Sequence, residues 1–220
     1  MIYPVIFCDF DGTVTEKDNI ISIMNKFAPP GWDELKNAVL DRRVSIREGV
    51  GRMFSLLPVS LKDEIIQYAV ENAKIRPGFQ EFLEFAKEEG IPVYIVSGGI
   101  DFFIEPIIEG FEPLAGVYCN GSDFSKETIK IEWPNSCDEH CSNDCGCCKP
   151  SIMRKLTQND TFKIVIGDSV TDLEAAKQAD YVFARDYLKA KCEEWDIPHT
   201  PFETFYDCIE ALKTKTGVRG

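Results

Sequence analysis

The sequence predicts a doubly wound, mainly parallel α/β sheet with a helical segment inserted after the first strand. Short apolar runs predict the sheet, amphipathic stretches between them predict its covering helices, and one long helical stretch predicts the insert. The runs are Val5–Cys8, Val93–Val96, Ile164–Ile166 and Tyr181–Ala184. They are β-branched and apolar on both faces, as buried parallel strands are. Phe79, Phe82, Leu83 and Ala86 follow i, i+3, i+4, i+7 spacing, and Gly90 suits the end of that helix. Phe202, Phe205, Ile209 and Leu212 do likewise near the C-terminus. Strands alternating with helices build an α/β sheet.

Two stretches break this rhythm. Residues 15–75 look helical throughout: Ile20–Phe27, Trp32–Leu40, Ile46–Leu57 and Leu61–Ala73, with Pro29-Pro30 and Pro58 as breaks. The expected organisation is a core of residues 1–14 and 76–220 with an insert of residues 15–75. Residues 117–148 read as a hairpin, Val117–Asn120 with Thr128–Trp133, followed by a cysteine-rich loop. Trp32 and Trp195 read as packing residues, Phe102 and Phe103 as the packed start of a helix, and His199 as a loop residue.

A chain of 220 residues fits one domain, or a core with a modest insert. It buries enough surface to fold without disulfides. Hydrophobic residues at 44% and charged residues at 28% exclude disorder. With 24 basic and 37 acidic residues the net charge is −13, which argues against nucleic-acid or anionic-membrane binding. A small anionic ligand remains compatible, held by a local cation or helix end. No apolar run approaches the roughly 18 residues of a membrane span. Met1–Cys8 is apolar but short, lacks a basic flank and runs straight into Asp9, so no signal peptide and a cytoplasmic protein are expected.

The chemistry lies at the strand ends. In an open α/β sheet the ligand sits beyond the C-terminal ends of the strands. Asp9, Asp11, Ser97, Asp168 and Asp172 can converge there although they are far apart in sequence. Clustered carboxylates repel one another and raise each other's pKa values. A hard divalent cation relieves this; Mg²⁺ takes one or two carboxylates together with water and phosphate oxygens. A carboxylate beside Mg²⁺ and a phosphate can attack phosphorus. A second carboxyl two residues on, Asp11, can protonate the leaving oxygen and then deprotonate the attacking water. A lysine and a hydroxyl must neutralise and orient the phosphoryl oxygens.

These motifs resemble the haloacid dehalogenase superfamily. Asp9-Phe10-Asp11-Gly12-Thr13 is similar to its first motif, Ser97 after an apolar strand to its second, and Lys149 before Pro150 to its third. Gly167-Asp168-Ser169-Val170-Thr171-Asp172 is similar to its fourth. The resemblance implies that Asp9 is the nucleophile and a Mg²⁺ ligand, and that Asp11 is the general acid/base, its carbonyl also on the metal. It implies Asp168 as a further ligand, Asp172 as support for the metal shell, and Ser97, Gly98 and Lys149 as phosphate-binding residues. Thr13 would support the nucleophile loop. An insert between the first two motifs resembles the helical cap of the phosphoserine phosphatase-like branch, which would exclude water and read the substrate's organic part. Asp18 falls where phosphoserine phosphatases read the substrate amine, and Arg52 near where they bind its carboxylate.

Of nine cysteines, five lie between Cys137 and Cys148. Cys137, Cys141, Cys145, Cys147 and Cys148 enclose His140 and run directly into Lys149. Three readings stand: a structural metal site for Zn²⁺ drawn from these cysteines and His140, a redox-sensitive thiol or disulfide pair, or a tight loop of free thiols. Cysteines crowding this lysine, led in by Trp133-Pro134, are similar to the methionine-salvage phosphatases acting on 2-hydroxy-3-keto-5-methylthiopentenyl-1-phosphate. The implied activity is a Mg²⁺-dependent phosphomonoesterase acting on a small phosphorylated metabolite, as a monomer or homodimer. Phosphoserine or phosphocholine/phosphoethanolamine phosphatase, and a non-catalytic phosphate- or metal-responsive regulator, are the alternatives. Ile20, Ile23, Met24, Phe27, Met53 and Phe54 are expected to be available to an apolar methylthio tail.

Overall fold

The structure, a computed structural model, describes residues 3–216. Strand β1, Tyr3–Cys8, lies at the centre of a seven-stranded sheet. It pairs in parallel with β2 (Val93–Ile100) on one side and β5 (Thr161–Gly167) on the other. Beyond β2 lies β3 (Gly116–Asp123), parallel to it, and then antiparallel β4 (Lys130–Glu132). Beyond β5 lie β6 (Tyr181–Ala184) and β7 (His199–Pro201), both parallel. The expected sheet is present, but the hairpin is shifted: Gly121–Asp123 pairs with Lys130–Glu132, while Val117, Tyr118 and Asn120 pair with β2.

The strands' two-residue period divides the core. Ile6, Cys8, Ile95, Ile164, Ile166 and Phe183 belong to the larger apolar cluster. Phe7, Val96 and Val165, on the alternate positions, belong to a second cluster with Ile152 and Met153. The helices α5 (Phe79–Glu88) and α8 (Phe205–Thr216) close the first face through Phe79, Phe82 and Phe205. The helix α7 (Lys149–Leu156) supplies Ile152 and Met153 to the second.

Four helices lie between β1 and α5 in the chain: α1 (Asn19–Phe27), α2 (Trp32–Leu40), α3 (Ile46–Phe54) and α4 (Lys62–Asn72). Asp18 caps α1 by accepting from Ile21 N at 2.9 Å, and Ser45 caps α3 by accepting from Glu48 N at 3.1 Å. The two chain crossings into this segment pair with each other as an antiparallel bridge, Thr15 with Ile75. Phe54 packs edge-on to Phe102 and stacked on Phe103, both on α6 (Asp101–Ile108).

Several boundaries differ from expectation. The strand β2 runs through Ser97–Gly99 to Ile100, with its register to β3 shifted after Val96. The helix α3 stops at Phe54 because tight turns to Met53 and Phe54 precede Pro58. His199 begins β7 rather than lying in a loop, and its Nδ1 faces Ile197 O at 2.9 Å. Trp195 is 39% exposed with Lys177 over its ring, so it is not a core residue. Ile20, Ile23, Met24, Met53 and Phe54 are committed to the core, which corrects their expected availability to a substrate tail.

Candidate active site

The ends of β1, β2 and β5 bring the acidic residues together. Asp9 follows β1 directly, and its amide donates to Ile166 O at 2.9 Å, fixing it beside β5. The chain then makes a tight turn through Gly12, where φ is +85°. A Cβ at Gly12 would stand 2.4 Å from Asp168 Oδ2, so the close approach of the two loops requires glycine. Carboxylate oxygens of Asp9, Asp168 and Asp172 all lie within 4.8 Å of one another.

One cation sits among them. Lys149 Nζ donates to Asp9 Oδ1 and to Asp172 Oδ1, each at 2.5 Å. Lys149 opens α7, with Pro150 in the first turn, and is 5% exposed. Asp172 Oδ2 accepts from the Asp168 and Ser169 amides at 3.1 and 3.0 Å. Both oxygens of Asp172 are thus engaged, which makes it a support for Lys149 and the Asp168 loop. Asp168 Oδ1 accepts from Thr13 Oγ1 at 2.9 Å. No hydrogen bond engages Asp9 Oδ2 or Asp168 Oδ2 among the described residues.

Asp11 sits apart from this group. Its Oδ1 accepts from Asn19 N at 3.0 Å and Asn19 Nδ2 at 2.7 Å, and its Oδ2 from Ser97 Oγ at 3.3 Å. Ser97 Oγ in turn accepts from Gly99 N at 2.9 Å. Asn120 Nδ2 holds the Gly98 carbonyl at 2.7 Å.

Burial dominates the electrostatics. It pushes the Asp9 carboxyl well above the usual carboxylate range; the Asp172 charge adds to this and Lys149 opposes it. Burial also raises Asp168 to about 6, helped by Asp172 and opposed by the Thr13 hydrogen bond. Asp11 rises to about 7, through burial and then the Asp18 charge, against the Asn19 and Ser97 hydrogen bonds. Burial disfavours the Lys149 ammonium, but Asp172 and Asp9 outweigh it and keep the group charged. One lysine cannot neutralise this many carboxylates. The open oxygens of Asp9 and Asp168, an all-oxygen donor pair, fit a hard divalent cation.

The other expected residues divide. Asp18 caps α1 with an exposed side chain. Arg52 lies on the exposed part of α3 and pairs with Glu48 at 3.2 Å. Neither joins the acidic cluster. In the cysteine loop, the sulfurs of Cys137, Cys141, Cys145 and Cys148 lie within 4.8 Å of one another. His140 is exposed and faces Glu139, while Cys147 is buried with its sulfur toward Tyr118 O. Both fall outside the sulfur group, which corrects the wider ligand set drawn from spacing.

Three residues that sequence reasoning missed shape the site. Asn19 orients Asp11 and Asn120 holds Gly98. Arg76, 5% exposed, donates to the carbonyls of Gly12 and Thr13, each at 2.7 Å. Backbone carbonyls carry no side-chain signature, so nothing in the sequence marks their partner.

The family model of haloacid dehalogenase-like hydrolases matches residues 6–177. The chain belongs to the haloacid dehalogenase-like hydrolases. Its reaction class within that family, set by the named relatives that follow, is that of a phosphatase. A relative from Geobacillus thermodenitrificans (strain NG80-2) is 59% identical over 95% of each chain, and one from Geobacillus kaustophilus (strain HTA426) is 60% identical over the same share. One from Bacillus cereus (strain B4264) is 57% identical over 94% of this chain and 95% of its own. Each is named 2-hydroxy-3-keto-5-methylthiopentenyl-1-phosphate phosphatase. Among solved structures, a substrate-bound phosphoserine phosphatase aligns with a TM-score of 0.73 at 17% identity, over 96% of this chain and 99% of its own. A phospho-aspartyl intermediate analogue of phosphoserine phosphatase aligns equally well at 18% identity, with the same coverage. At that identity the two structures bear on the hydrolase fold alone.

Proposed function

We propose that the chain hydrolyses 2-hydroxy-3-keto-5-methylthiopentenyl-1-phosphate in methionine salvage, as a Mg²⁺-dependent phosphomonoesterase working through an aspartyl-phosphate on Asp9. The observation that carries the substrate is the near full-length identity of 57–60% to relatives of that name. The placement of Asp9, Asp11 and Lys149 supports the reaction.

Asp9, Asp168 and the Asp11 carbonyl would hold Mg²⁺, with Asp172 in support. When bound, the ion supplies positive charge to the phosphoryl oxygens. Lys149 holds Asp9 in place and presents charge to the transferring group. The Asp9 carboxylate forms a bond to phosphorus as the ester P–O bond breaks. Asp11, which titrates near neutrality, gives its proton to the leaving oxygen. It then takes a proton from water, whose oxygen bonds to phosphorus as the Asp9–phosphorus bond breaks. Inorganic phosphate leaves, and Asp9 and Asp11 return to their starting states. Ser97 Oγ and the Gly98–Gly99 backbone line the phosphate site. Residues 15–75 act as the cap that excludes water during these steps.

The test is Mg²⁺-dependent phosphate release from the enol-phosphate, made in situ, beside phosphoserine at equal concentration. The expected kcat/KM ratio favours the enol-phosphate by at least about tenfold, a modest discrimination for a shaped site. A ratio favouring phosphoserine overturns the substrate assignment.

A further inference from the structure

Four of the five clustered cysteines converge on one point. The sulfurs of Cys137, Cys141, Cys145 and Cys148 all lie within 4.8 Å of one another, and Cys141 and Cys145 are 3.9 Å apart. A tetrahedron of thiolates with metal–sulfur bonds of about 2.3 Å has edges of about 3.8 Å. A disulfide would place two of these sulfurs about 2.05 Å apart, and all nine cysteines are unbridged. Four sulfurs at these separations lie within reach of a single tetrahedral ion.

Hydrogen-bond donors face two of the four sulfurs. The Asn143 amide points at the Cys141 sulfur and the Ser151 amide at the Cys148 sulfur. Ser151 Oγ donates to Cys148 Sγ at 3.0 Å. Cys148 is the residue before α7, so the positive end of that helix faces its sulfur. Arg154 grips Asp138 through two hydrogen bonds of 2.8 and 2.6 Å, tying the start of the loop to α7. The donors to sulfur offset part of the negative charge of a tetrathiolate ion.

We propose that Cys137, Cys141, Cys145 and Cys148 bind one structural Zn²⁺, which fixes the loop that presents Lys149 to Asp9. Each thiol loses its proton to solvent on binding, and no electron is transferred. All-sulfur tetrahedral donors select zinc or iron–sulfur chemistry over hard cations, so Mg²⁺ does not compete here. A closed four-ligand set with no open position is a structural site.

The location gives the ion two mechanical tasks. On one side Cys148 is covalently joined to Lys149. On the other, Asp144 in the same loop accepts from Ser45 Oγ at 2.6 Å and from Arg47 at 3.4 Å, at the start of α3. The loop thus connects the phosphate-binding lysine to the start of α3 in the helical segment. Its anchoring by metal holds both in register.

The experiment measures metal in full-length protein purified without a metal-affinity column. Elemental analysis is expected to find about one zinc per chain, retained in Cys147→Ser and His140→Ala and lost in Cys141→Ser and Cys145→Ser. X-ray absorption on the wild-type protein is expected to show four sulfur neighbours at about 2.3 Å. That measurement stands even where a cysteine variant fails to fold. Zinc below about a tenth of an equivalent overturns the proposal, as does a native disulfide among these cysteines, iron in place of zinc, or nitrogen in the first coordination sphere. The readout is metal content, so it is separable from the identity of the phosphate ester.

Discussion

Lys149 lies 140 residues beyond Asp9, yet its ammonium meets Asp9 Oδ1 at 2.5 Å while also holding Asp172. Both carboxylates are buried, so the contact is an interior ion triad rather than a surface bridge. Lys149→Met leaves Asp9 and Asp172 side by side without their cation. Removing one partner of a buried pair costs about 3–5 kcal/mol. The urea midpoint is expected to fall by the corresponding amount and phosphate release to be lost. A variant as stable as wild type would show that the lysine does not hold the two charges together.

Asp11 has a different task and a different signature. Its carboxyl is raised to about 7, so near neutral pH both its acid and its base forms are populated. Phosphorylation of Asp9 needs the protonated form and is expected to slow as pH rises through about 7. Hydrolysis of the phosphoenzyme needs the ionised form and is expected to quicken over the same range. Rapid-quench measurement of each half-reaction separates them. In Asp11→Asn both pH dependences should vanish and kcat should fall by about 10²–10⁴-fold, with little change in KM.

The acidic cluster also sets how stability varies with pH when divalent metal is removed. Asp9, Asp11 and Asp168 all have folded-state pKa values above the unfolded value near 3.9. Below about pH 4 they are neutral in both states and cost nothing. As pH rises from about 4 to about 7 the unfolded chain releases these protons first, so stability falls. Asp138 behaves oppositely: Arg154 holds it down to about 2, so its contribution is lost only in stronger acid. Thermal melting in chelator should show Asp168→Asn gaining on wild type as pH rises from about 4 to about 6. Added Mg²⁺ should stabilise wild type more than the variant. A pH-independent difference between the two would place Asp168 outside the strained group.

The site was legible where a motif carries side chains at strand ends. Asp9, Asp168 and Asp172 follow apolar runs, and Lys149 precedes a proline that opens a helix. Asn19 and Arg76 were not legible, because one acts through a turn eight residues away and the other through carbonyls. Adjacent residues in the cysteine loop face opposite ways, so spacing could not separate Cys147 from Cys148. The strand β7 escaped because His199-Thr200-Pro201 has no apolar run and lies at the sheet's edge. The helices of residues 15–75 were legible from their periodicity, but the same periodicity could not say whether their apolar faces meet a ligand or one another.

Arg76 stands where the chain returns from α4 to the core. Its Nε donates to Thr13 O and one terminal nitrogen to Gly12 O, each at 2.7 Å, while the other reaches Glu203 O at 3.1 Å. The Gly12–Thr13 turn lies between Asp11 and the Thr13 hydroxyl that holds Asp168. The guanidinium therefore acts as a positioning residue, through the backbone of the nucleophile loop. A charged hydrogen bond contributes about 1.5–3 kcal/mol, so losing the two short ones in Arg76→Met is expected to cost about 3–6 kcal/mol. Arg76→Lys keeps the charge but cannot reproduce the fork. It should fold, bind substrate with near-normal KM and show a reduced kcat, because the distance between Asp9 and Asp11 is no longer fixed. Steady-state kinetics on the lysine variant, beside its denaturation curve, distinguish the two roles. A kcat equal to wild type in a destabilised Arg76→Lys protein would reduce Arg76 to a purely structural staple.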